Sequence, residues 1–194
     1  MSEAAEIAIK VGDETPEPGF QREVERLSGQ KVPDCYQCGE CTAGCPVAFA
    51  MDLTPNQVMR MVQLGLADSV LRSHTIWLCA GCETCGTRCP KLVELSKVMD
   101  ALRQIAVERG IKSPEPEIAE FHKSFLTSIE YLGRTYEIGM IGLLKMKTRK
   151  FFKDVPIGIR MFFKGKLNPF PSIVKDRKGI KKIFDSSKKR RRQS

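Results

Sequence analysis

The segments CYQCGECTAGCP at residues 35–46 and CAGCETCGTRCP at residues 79–90 decide how this chain folds. They contain all eight of its cysteines, and both have the form C-x2-C-x2-C-x3-C-P. Three cysteines at intervals of three positions let a looping backbone aim three thiolates at one centre, with the fourth beyond a turn. A single structural zinc ion is satisfied by two C-x2-C pairs, so two complete four-cysteine runs exceed what zinc requires. Disulfides belong to oxidising compartments, and the first dozen residues carry Glu3 and Glu6 rather than a basic-then-apolar export pattern. Gly39, Gly44, Gly81 and Gly86 remove side-chain bulk where the backbone must pass close to a large ligand. Pro46 and Pro90 close the runs and suit the first turn of a following helix.

Both runs resemble the ligand pattern of bacterial two-cluster ferredoxins, in which the fourth cysteine ligates the other cluster. The resemblance implies two [4Fe–4S] clusters with exchanged ligands. Cys35, Cys38, Cys41 and Cys89 would hold one, and Cys79, Cys82, Cys85 and Cys45 the other. Glu40 and Glu83, against Arg88 and Lys91, would tune the two potentials in opposite directions.

The residues around the runs read as helix. Thr54-Pro55-Asn56-Gln57 offers an N-cap, proline at the first helical position and the Gln of a capping box. Val58, Met61, Val62 and Leu66 follow at helical spacing, and a shorter piece is expected over residues 68–73. After Pro90, Leu95, Val98, Met99, Leu102, Ile105 and Ala106 form one stripe, with Gly110 as a stop. A further helix begins after Ser113-Pro114, with Ile118, Phe121, Phe125, Ile129 and Leu132 on one face, and residues 136–146 suggest another. No sustained period-two alternation appears, so the fold class is all-α.

Two such runs, some thirty helical residues apart and followed by an amphipathic helix, resemble the α-helical ferredoxin module. That module also forms the C-terminal half of succinate dehydrogenase iron–sulfur subunits. The likeness is closer to the small iron–sulfur subunit of heterodisulfide reductase from methanogenic archaea. It covers residues 20–112 and rests on the first run, on Trp77-Leu78-Cys79 leading into the second, and on chain size. It implies an electron-transfer subunit of an oxidoreductase complex, non-catalytic itself. Such a subunit relays electrons from a flavin-containing subunit to a catalytic subunit that reduces the mixed disulfide CoM-S-S-CoB in methanogenesis, with or without a hydrogenase in the assembly.

Other features narrow the reading. No G-x-G-x-x-G or P-loop offers a nucleotide site, and no two cysteines are adjacent as in the Cys-Cys-Gly context of the catalytic partner. His74 and His122 read as surface or packing residues, and Trp77 as a packing shield for a cluster. No apolar run reaches the 18 or more residues of a membrane span; residues 138–144 are broken by Gly139 and Gly142. The expected address is the cytoplasm.

The net charge of +9 conceals an asymmetry. Residues 145–194 hold 18 of the 32 Lys/Arg and three of the 23 acids, a net of +15, which leaves −6 for the rest. Four segments follow: an N-terminal arm (1–30), the two-cluster domain (31–112), C-terminal helices (113–148) and a basic, Phe-rich extension and tail (149–194). Residues 151–163 interleave Phe, Met and bases, and Asn168-Pro169-Phe170-Pro171 follows. This end fits docking to an acidic partner, a membrane surface or nucleic acid. Lys188, Lys189, Arg190, Arg191 and Arg192 read as a frayed, solvated tail. Two other functions are compatible with these features. One is an iron–sulfur subunit of a membrane-associated dehydrogenase of the glycerol-3-phosphate or succinate type. The other is a nucleic-acid-binding protein with structural clusters.

Overall fold

The computed structural model describes residues 14–136, 139–142, 160–161, 163–164, 174 and 176–193. Among these every regular element is helical, and none is long and apolar enough to cross a membrane. The chain divides into two compact units, Met1–Pro116 and Glu117–Ser194.

The first unit is organised by three helices: α1 (Phe20–Ser28), α3 (Pro55–Leu64) and α7 (Leu95–Glu108). Helix α3 starts as its sequence dictates. Pro55 occupies the first turn, where its missing N–H costs nothing, and Gln57 Oε1 accepts the Thr54 N–H at 2.8 Å. Its apolar positions Val58, Met61 and Val62 are buried. Helix α7 buries Leu95, Val98, Met99, Leu102, Ile105 and Ala106, spaced by three and four positions, against α1 and its neighbours. It ends in a Schellman motif: Gly110 N–H donates to Val107 O and Ile111 N–H to Ala106 O, at 3.1 and 2.9 Å.

Helix α1 lays Phe20, Val24 and Ser28 on α7. Arg109 fastens the start of α1 by pairing with Glu17 at 2.8 Å and Glu23 at 2.6 Å while lying over the Phe20 ring. Those carboxylates push the Arg109 guanidinium further up, against the opposing effect of burial.

Short helices carry or precede the cysteine runs. Helix α2 (Glu40–Ala43) and α6 (Thr84–Arg88) lie within them and pack against each other. Helices α4 (Ala67–Leu71) and α5 (Thr75–Leu78) lead into the second run. The Glu14 carboxylate accepts N–H bonds from Asp68 at 2.7 Å and Ser69 at 3.0 Å, capping the first turn of α4. The second unit contains most of α8 (Pro116–Leu132) and α9 (Arg177–Gln193). There Val174 N–H donates to Leu132 O, and Arg177 to Tyr131 O at 2.8 Å.

Three expectations change. Pro46 and Pro90 open turns rather than helices: a 3-10 turn follows at Ala48–Ala50, and α7 starts only at Leu95. The basic tail continues α9 instead of fraying. Lys and Arg are good helix formers, and Ile180, Ile183 and Phe184 recur at helical spacing. Of the helix expected over 136–146, residues 139–142 are helical and 143–146 lie outside the described residues. The Phe-rich stretch also falls mostly outside them, including all of 151–159 and 165–171.

A hydrogen-bond network ties the segment after the first run to the helix before the second. The Asp52 carboxylate accepts His74 N–H (2.8 Å), Thr75 N–H (2.9 Å) and the Thr75 hydroxyl (2.7 Å), acting as the N-terminal cap of α5. Thr75 is fully buried, and its Oγ1 also accepts the Leu53 N–H at 3.0 Å. Burial alone would push the Asp52 carboxyl up. The hydrogen bonds from Thr75, His74 and Leu53 outweigh it and hold the group below its ordinary value of 3.8. Its contribution is therefore present at neutral pH and lost as pH falls through the folded-state value. Asp52→Ala is expected to cost about 2 kcal/mol, seen as an earlier urea midpoint at pH 7. Asp52→Asn, which keeps one acceptor, should cost about half of that.

Candidate metal centre

Each run is shaped by two left-handed residues on either side of its second cysteine. In the first they are Gln37 and Gly39, with φ of 63° and 83°; in the second they are Gly81 and Glu83, with φ of 63° and 61°. The four residues occupy equivalent places, so the two runs share one backbone path and differ in which position is relieved by glycine. Each reversal turns the second cysteine outward, and Cys38 and Cys82 are the exposed members of their sets. The other six cysteines are half-buried.

A recess with about 390 Å³ of non-atom space, partly open to solvent, is lined by Cys45, Cys79, Cys82 and Cys85. Val47, Met51, Leu95 and Met99 complete its walls and exclude water from one side. Three of these cysteines come from the second run and one from the end of the first. The other four are also near one another: the Cys41 thiol feels the charge of Cys35, and Tyr36 faces both Cys38 and Cys89. The Tyr36 phenol is pushed up by desolvation first, then by Cys38. Cys41 also senses Cys85, so the two sets adjoin. Among the described residues no three of His, Cys, Asp or Glu gather tightly enough to hold a single ion. The thiols surround a space.

Burial is the first reason that the Cys41, Cys79 and Cys85 thiols are pushed up, and neighbouring thiols add to it. The exposed Cys82 thiol is pulled down, chiefly by its hydrogen bond with the Thr84 hydroxyl at 3.4 Å. Other donors to sulfur are the Val93 N–H to Cys89 Sγ at 3.3 Å and Gln37 Nε2 to Cys35 Sγ at 3.5 Å. A half-buried, apolar-walled recess with converging thiols and donors to sulfur suits a negatively charged inorganic cluster.

Of the residues expected at the site, Gly39 and Gly81 are required by their positive φ. Gly44 makes room for Arg88, whose Nε would stand 2.7 Å from an added Cβ, so this side chain spans from one run to the other. Gly86 has ordinary space around it. Trp77 is buried beside α7 and does not line the recess. His74 Nδ1 lies 2.8 Å from Glu115 Oε1, away from the cysteines. Two residues were not expected at the site from the sequence. Gln63 donates to the carbonyls of Val32 and Cys35, and Arg103 to those of Ile76 and Cys79. Both lie more than twenty positions from the cysteine they hold, where no local pattern signals them.

Residues 31–93 match the family described as the 4Fe-4S dicluster domain. Over the same region the chain is similar to the small iron–sulfur subunit of the CoB–CoM heterodisulfide reductase of Methanopyrus kandleri, 41% identical over 97 residues, which is 50% of this chain and 48% of that protein. It is also similar to an iron–sulfur subunit of the same type from Methanocaldococcus jannaschii, 42% identical over 81 residues, or 42% and 43% of the two chains. The corresponding subunit of the H(2)/formate:CoB-CoM heterodisulfide,ferredoxin reductase of Methanococcus maripaludis is 40% identical over 96 residues, or 50% and 48%. The chain spans about half the length of these curated relatives. The likeness to the heterodisulfide reductase iron–sulfur subunit inferred from the motifs holds, and the chain binds two [4Fe–4S] clusters.

An added Cβ at Gly39 or Gly81 meets nothing within 4 Å, so alanine there costs only backbone conformation. Gly39→Ala and Gly81→Ala are each expected to lose about 1 kcal/mol, measured as a lower melting temperature of the anaerobic protein. Glu83→Gly, at a position already left-handed, should cause no loss.

Proposed function

We propose that this chain is the electron-relay subunit of a cytoplasmic heterodisulfide reductase, passing electrons from a flavin-containing subunit to a separate catalytic subunit. The catalytic subunit would reduce CoM-S-S-CoB, the terminal disulfide of methanogenesis. The observation that carries the reading is the convergence of Cys45 with Cys79, Cys82 and Cys85 on one recess, within a region similar to the iron–sulfur subunit of that enzyme. It supports the exchanged ligand sets: Cys35, Cys38, Cys41 and Cys89 for one cluster, and Cys79, Cys82, Cys85 and Cys45 for the other.

The clusters, when bound, supply one-electron redox chemistry; the chain supplies position and insulation. Val47, Met51, Leu95 and Met99 keep water from one side of the second site, which limits solvent stabilisation of charge. The exposed Cys38 and Cys82 leave each site one edge at the surface, where a partner can approach. With all eight cysteines engaged as ligands, no thiolate remains to attack a disulfide, so bond chemistry falls to the partner.

Anaerobic reconstitution should yield about eight iron and eight acid-labile sulfide per chain, because two [4Fe–4S] clusters demand that stoichiometry. Half of each, or zinc in their place, contradicts the proposal. Cys45→Ser should disturb the cluster of Cys79, Cys82 and Cys85, while loss of only the cluster of Cys35, Cys38 and Cys41 would rule out the exchange. Complex formation with the flavin-containing and catalytic subunits of a methanogen enzyme, followed by reduction of the clusters from the flavin, tests the relay itself.

A further inference from the structure

The two runs are held at their entrances by the same device built from unlike side chains. Gln63, on α3, donates from Nε2 to the carbonyl of Cys35 at 2.8 Å and of Val32 at 3.1 Å. Arg103, on α7, donates from Nη1 to the carbonyl of Cys79 at 3.0 Å and of Ile76 at 3.1 Å. In both cases one nitrogen joins the first cysteine of a run to the residue three positions before it. The helix that follows each run therefore reaches back to fix where that run begins. The geometry is repeated, but the charge is not.

We infer that Arg103 is a positioning residue that also raises the reduction potential of the cluster ligated by Cys79, above the value a neutral clamp such as Gln63 would give. This rests on Cys79 being a cluster ligand, as proposed above. Only 13% of the Arg103 side chain is exposed, so water screens its charge poorly. Its ion-pair partner Asp100 is 62% exposed and more fully screened, leaving a net positive field toward the run. The charges acting on Cys79 are ordered in agreement, with Arg103 ahead of Asp100. Reduction adds one electron, from a partner or a chemical reductant, and one negative charge to the cluster. A fixed cation nearby stabilises that product more than the oxidised form. Arg103 bonds carbonyl oxygens rather than sulfur, so it acts through charge and through the placement of the run.

The test is an EPR-monitored redox titration of the reconstituted full-length chain, with dithionite as reductant and iron content measured for every variant. Arg103→Gln copies the neutral clamp. It should retain eight iron, make reduction of one cluster about tenfold less favourable (~59 mV for one electron), and leave the other cluster unmoved. Arg103→Lys keeps the charge and should restore most of that shift. The reciprocal Gln63→Arg should raise the potential of the other cluster alone. Unchanged potentials in Arg103→Gln, equal shifts in both clusters, or a lysine variant no better than glutamine overturn the inference and leave the relay reading intact. Should Arg103→Gln lose a cluster, Gln63→Arg decides: an upward shift confined to the other cluster supports the charge effect, and no shift overturns it. A wild-type chain without two one-electron steps instead counts against the relay reading.

Discussion

A loop that aims several sulfur atoms at one inorganic cluster cannot pack on itself, because the space between the sulfurs must stay open for the ligand. Its shape has to be imposed from outside, and every part of the first unit follows from that requirement. The left-handed pairs Gln37 and Gly39, Gly81 and Glu83 set the path of each run. Helices α3 and α7 return to fix the starting points through Gln63 and Arg103. The α2–α6 contact, with Arg88 over Gly44, places the two runs face to face. The large buried residues Phe20, Val58, Met99, Leu102 and Ile105 supply the apolar burial that balances the cost of ordering open loops.

Exchanging the fourth cysteine links this bracing to function. If Cys45 serves the cluster of the second run and Cys89 that of the first, neither site can be completed unless both runs are already placed. The buried Thr75 and the half-buried Asp52 become important for the same reason, since they join the exit of one run to the approach of the other. Two clusters held in a single rigid unit suit a relay, where the distance between redox centres must not fluctuate. Partners then engage at the exposed edges of Cys38 and Cys82.

Much of this was legible in the sequence, for definable reasons. The runs announce themselves by spacing, and α3 and α7 by capping residues and apolar period, because those signals are local. Gln63 and Arg103 were not legible, since their partners are backbone carbonyls 28 and 24 positions away and a carbonyl leaves no trace in sequence. The left-handed Gln37 and Glu83 were hidden because only glycine advertises that conformation. Pro46 and Pro90 misled by suggesting helix starts, where each instead opens a turn. The basic tail was read from charge alone, although Ile180, Ile183 and Phe184 carry the helical period of α9.

The most direct test of the central claim, that one braced unit holds two neighbouring [4Fe–4S] clusters, is EPR spin quantification of the fully reduced chain. The account predicts two spins per chain with lines split by mutual magnetic interaction. One spin per chain, or two spins with no sign of coupling, would contradict it.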